Sequence, residues 1–154
     1  MATNTVLGYS DFNIGQDVSL TLRFSNGQNF SSEDIGIMTD IDMECEDHEV
    51  IVKAINYKGL PKFISIPAGV GGKVQWARKN GIFQKLVANK QKMFTESGLI
   101  LTVTMQVQIR NRDGAIDTIL VPGASFSKSK LFDAKADKEI GMGFSFKAES
   151  FTIT

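Results

Sequence analysis

The chain has 154 residues, of which 42% are hydrophobic and 22% charged, enough to bury one core without a second domain. Lysine plus arginine and aspartate plus glutamate number 17 each, so no overall basic excess marks the chain as a nucleic-acid binder. The single cysteine, Cys45, excludes an internal disulfide, the first residues lack the basic-then-apolar pattern of a secretory signal, and no apolar run approaches the length of a membrane span.

In chain order, Val18, Leu20, Leu22 and Phe24 alternate with Ser19, Thr21 and Arg23 ahead of Ser25-Asn26-Gly27, which predicts a strand entering a turn. From Thr39 to Glu46, Asp40, Asp42, Glu44 and Glu46 alternate with Ile41, Met43 and Cys45. An extended backbone puts these carboxylates on one side and the apolar row on the other, so Ile41, Met43 and Cys45 are expected to pack inward. Such a row repels itself and suits a surface that must not bind a polyanion. Residues 33–49 hold acids and no lysine or arginine, whereas Lys58 to Lys92 hold eight lysines and arginines and no acid; opposite patches of this kind favour head-to-tail self-association.

Residues 48–57 are rich in β-branched side chains, and Lys58-Gly59-Leu60-Pro61 can turn them into Lys62–Ile66, with Pro67 to Gly72 as a flexible join. Ile82, Phe83, Leu86, Val87, Met93 and Phe94 then follow a helical period, with Asn80 as the expected N-cap and Gly98 as the C-cap. Leu99 to Arg110 alternates again, with Thr102, Thr104, Gln106, Gln108 and Arg110 on the polar side. Asn111-Arg112-Asp113-Gly114 is a hairpin turn, Ala115 to Val121 returns, and residues 141–149 form a closing strand. The expected fold is mainly β: a single domain over residues 1–154, built as a two-sheet antiparallel β-sandwich or barrel with one flanking helix at about 80–97.

The usual chemistry is missing. Cys45 and His48 stand three apart, on opposite faces of a strand, so they do not make a nucleophile and base pair. A phosphate loop read through Gly71-Gly72-Lys73 would need glycine at Pro67 and a hydroxyl residue at Val74. The acidic run lacks the central glycine and terminal glutamate of a calcium loop. No catalytic, cofactor-binding or metal-ligating residue is therefore expected, and Trp76 reads as an anchor in a core or interface.

From Gly71 to Ala148 the chain resembles the tail tube proteins of contractile-tailed bacteriophages. The resemblance rests on the order of weak motifs: Gly72-Lys73-Val74-Gln75-Trp76-Ala77-Arg78 before the helix, Gly98, the long strand to Arg110, and Asn111-Arg112-Asp113-Gly114. The loop Pro122-Gly123-Ala124 and the ending Phe144-Ser145-Phe146-Lys147-Ala148 follow. It implies hexameric rings stacked into a tube that conducts the phage genome, with sheath, tape-measure, baseplate and tail terminator proteins as partners. Double-stranded DNA would pass without specific binding, and the subunit would not insert into a membrane by itself. The implied location is the virion tail, assembled in the host cytoplasm.

On that reading Asp40, Asp42, Glu44 and Glu46 are candidates for the lumen, as is the row Thr102, Thr104, Gln106 and Gln108. Lys53, Asn56, Tyr57, Lys58 and Lys62, on the hairpin between Val50 and Ile66, are candidates for contact with the next ring. The alternatives are the tube of a type VI secretion system or contractile bacteriocin, and a monomeric β-barrel carrier of the lipocalin kind, which the 11 phenylalanines favour.

Overall fold

The computed structural model describes residues 14, 17–52 and 62–154. Its elements are β1 (Val18–Phe24), β2 (Asn29–Ser31), α1 (Ser32–Ile35), β3 (Gly36–Val52), β4 (Lys62–Arg78), α2 (Ile82–Ser97), β5 (Thr102–Arg110), β6 (Ile116–Asp133), β7 (Gly141–Ala148) and β8 (Thr152–Ile153). All strand pairs are antiparallel, in the order β2-β1-β5-β6-β7-β4-β3, with β8 on β6.

The two ends of this path, β2 and β3, are joined by the four residues of α1 alone. A flat sheet of that order would hold them about 29 Å apart at ~4.8 Å per strand spacing, while one turn of helix advances only ~6 Å. The sheet must therefore roll until its edges approach. The corner is made by β6, whose first part pairs with β5 as far as Thr102↔Ser125 and whose second part pairs with β7 from Ser125↔Lys147 onward. Register shifts flank the corner, between Val103 and Met105 and between Phe126 and Lys128, as expected where a strand changes layers. The mainly β architecture is as expected, and its two layers belong to one hydrogen-bonded path.

Both layers send their apolar rows into one core. Leu20, Leu22, Val103, Met105, Val107 and Val121 come from one layer, and Val70, Val74, Trp76, Met142, Phe144 and Phe146 from the other. Phe126 joins them, its ring 6.1 Å from Phe24 and 4.7 Å from Phe144. The amphipathic α2 covers the mouth of this core with Phe83, Leu86 and Val87. The hollow beneath it, among Leu22, Phe24, Phe83 and Phe144, measures about 10 Å³, no more than a water needs.

Several boundaries differ from the sequence reading. Gly81 is the N-cap of α2; Asn80 acts one residue earlier, its Oδ1 accepting from the Ile82 N–H at 3.0 Å. Gly98 is the left-handed C-cap, as expected. The long strand starts at Thr102, because Leu99 and Ile100 have no strand partner and are 58% and 64% exposed. The supposed join at 67–72 lies inside β4, where Ala68 is an extra residue in the register and Gly69 takes φ +112°. The supposed loop at Pro122-Gly123-Ala124 is likewise a bulge inside a continuous β6, with Gly123 at φ +62°. The one-turn α1 went unforeseen; the Ser31 N–H donating to Asp34 Oδ2 at 3.0 Å starts it.

Candidate assembly surface

The acidic row lies on β3, and its direction is fixed by what its neighbours bury. Ile41 and Met43 pack against the core, so Asp40, Asp42, Glu44 and Glu46 point away from it. Cys45 was expected to pack inward and is exposed, because the core ends near its partner Val70 and β3 continues beyond it. The Thr102, Thr104, Gln106 and Gln108 side chains are half-buried and lie on the outer surface of the other layer, opposite Ser125, Arg23, Thr21 and Ser19. Three strands separate β3 from β5 in the sheet order, so the two polar rows do not share a surface.

What does share the acidic surface is a set of lysines. In register across the layer, Asp42 stands beside Lys73, then Ser145, then Lys128; Asp40 beside Gln75, Gly143 and Lys130; Glu44 beside Gly71, Lys147 and Ser125. Lys73 Nζ reaches Asp40 Oδ2 at 3.8 Å, with both groups about half exposed. Among the described residues Asp42, Glu44 and Glu46 make no ion pair. Lys73, Lys128, Lys130, Lys135 and Lys138 line an open hollow of about 370 Å³ together with Asp133 and Glu139. The face is acidic along β3 and basic along β6. Sequence reading missed the second half; the alternation Ser127, Lys128, Ser129, Lys130 was its available signal.

Both borders of this four-stranded layer are open among the described residues. No strand pairs with β3 on the side away from β4, nor with β6 over 126–130 on the side away from β7. Gln84 Nε2 donates to the Leu131 carbonyl at 2.7 Å, which closes the β6 border beyond that point. Open edges with unspent N–H and C=O groups are templates for another chain.

Beyond the Val70↔Ala148 pair, β3 and β4 continue alone as a two-stranded ribbon. Ile51 and Phe63 are paired on one face of it, Val50 and Ile64 on the other, with Ile66 beside His48. An isolated ribbon with apolar side chains on both faces is not stable in water and calls for cover on both sides. Lys53, Asn56, Tyr57 and Lys58 lie outside the described residues, and Lys62 is the exposed first residue of β4. Among the described residues no three His, Cys, Asp or Glu side chains gather to hold a metal ion, and no helix is long and apolar enough to cross a membrane.

No protein-family model and no curated protein matches this sequence. Solved structures do match its fold. The SPP1 tail tube aligns with TM-score 0.62 at 12% identity over 92% of this chain and 78% of that one. A chain of the PVC sheath-tube complex of an extracellular contractile injection system, in the extended state, aligns with TM-score 0.58 at 11% identity over 99% of both. One from the 6-fold symmetrised baseplate of the anti-feeding prophage aligns with TM-score 0.56 at 10% identity over 100% and 97%. The chain thus has the fold of tail tube proteins, shared between phage tails and contractile injection systems.

Proposed function

We propose that this protein is the structural subunit of a tail tube, with six copies closing into a ring and rings stacking into a conduit for genome delivery. The observation that carries the reading is the polarity of the open layer. In the order β3-β4-β7-β6 neighbouring strands alternate in direction, and their number is even, so copies related by simple rotation meet β6 to β3 in antiparallel fashion. Rotation alone then removes both open edges by making one closed barrel.

Sixfold closure of a four-stranded layer gives a barrel of about 24 strands, and a strand tilt near 40° makes it roughly 48 Å across between backbones. That is wider than a DNA duplex. The surface bearing Asp40, Asp42, Glu44 and Glu46 faces the lumen in this arrangement, and the Thr102, Thr104, Gln106 and Gln108 row faces outward. The ribbon of β3 and β4 reaches the neighbouring ring, and Lys53, Asn56, Tyr57, Lys58 and Lys62 are the candidates for that contact. Sheath, tape-measure, baseplate and terminator proteins are the partners of such a tube, DNA passes through it without specific binding, and its place is the virion tail.

Negative-stain microscopy of the purified protein tests the reading. Rings with a central hole, or tubes built of them, are expected. A chain that stays monomeric at high concentration and takes up apolar probes overturns it in favour of a small-molecule carrier.

A further inference from the structure

We infer that the ring is closed by charge as well as by hydrogen bonds: the carboxylate row on β3 of one copy seats against Lys128 and Lys130 on β6 of the next. The inference rests on the tube reading and adds the partner of each edge. Both rows project from the same side of the layer, since Asp42, Lys73, Ser145 and Lys128 are in direct register, as are Asp40, Gln75, Gly143 and Lys130. When β6 of one copy meets β3 of the next in antiparallel register, Lys128 and Lys130 stand opposite two successive acids two residues apart.

Closing a barrel staggers the strands, and a stagger that keeps side chains on their face shifts by two residues at a time. The carboxylates at 40, 42, 44 and 46 repeat with that same step. For a stagger toward Glu46 the lysines therefore meet acids at zero, two or four residues, and the β3 row is long enough to serve as their counterpart in each. A second consequence concerns the lining. Acidic and basic staves alternate around the lumen and neutralise one another at each subunit boundary, so the wall offers passing phosphates no continuous basic surface to hold them.

The test uses two charge-reversed versions of the full chain. Asp42→Lys with Glu44→Lys alters acids that have no ion pair within the described subunit and removes at least one boundary pair at each stagger. Lys128→Glu with Lys130→Glu reverses the other edge. Each variant alone places like charges at every boundary, and ring yield by light scattering and microscopy should fall at least tenfold while circular dichroism stays that of the parent. Mixed in equal amounts the two variants present unlike edges to each other, so rings of alternating subunits should return. Normal rings from either variant alone, or no rings from the mixture, overturn the charge pairing. Absence of rings from the unaltered protein overturns the tube reading itself, and the pairing with it.

Discussion

Replacing Ser32 by alanine examines the seam where the sheet rolls up. Trp76, on β4, is fully buried, and its indole Nε1–H donates to Ser32 Oγ at 3.0 Å. Ser32 begins α1 and is itself buried at 7% exposure, so water does not stand in for the hydroxyl. The indole also packs against Phe83 of α2 at 5.8 Å and Phe144 of β7 at 5.7 Å, so it joins the seam, the helix and the inner strands at one point. Ser32→Ala leaves a buried N–H unpaired, which costs about 1–3 kcal/mol. For a chain of this length each kcal/mol moves Tm by roughly 2–4 °C, so Tm should fall by roughly 2–12 °C.

The assay is thermal unfolding followed by circular dichroism at low protein concentration, because assembly adds stability by mass action. Trp76→Phe supplies the control. In that background the donor is gone, and Ser32→Ala should cost measurably less than in the parent, with a coupling of at least about 0.5 kcal/mol. A Ser32→Ala variant within about 0.5 kcal/mol of the parent, the range of ordinary surface changes, would refute the claim that this bond holds the seam.

Three further outcomes are expected. Gly72→Ala should destabilise the subunit by about 1–3 kcal/mol, because a Cβ there would run into the Asp42 carbonyl oxygen, and denaturant titration measures it. Ile51→Ser with Phe63→Ser, two residues each 58% exposed on one face of the ribbon, should change subunit stability by less than about 0.5 kcal/mol yet shorten tubes in micrographs. Unchanged tube length in that variant would remove the ribbon from the interface. Deleting residues 56–62 should leave a folded subunit that forms rings without long tubes, checked by circular dichroism and microscopy together.

Local periodicity made much of the fold legible. Alternation over Val18–Phe24, over 102–110 and over 141–148 gives strands because side chains on an extended chain point to opposite faces, and each core list follows from that geometry. The period of α2 and its stop at Gly98 were readable for the same kind of reason, a left-handed cap that glycine adopts without strain. The acidic row was readable down to its direction at Asp40 and Asp42, since Ile41 and Met43, which alternate with them, pack against the core.

Tertiary structure decided the rest, and in each case the deciding partner lies far away in sequence. Pro67–Gly72 and Pro122–Ala124 look like loops, yet they are strand because β3 and β7, or β5, are there to pair with and the extra residues are absorbed as bulges. The burial of Cys45 was misread because alternation gives a direction but not the point at which the core ends, and that point is set by where β7 stops beside β4. The neighbours of the acidic row could not be read at all. Lys128 and Lys130 come to share its surface through strand order and register, which hydrogen bonding among β4, β7 and β6 fixes and no local pattern encodes.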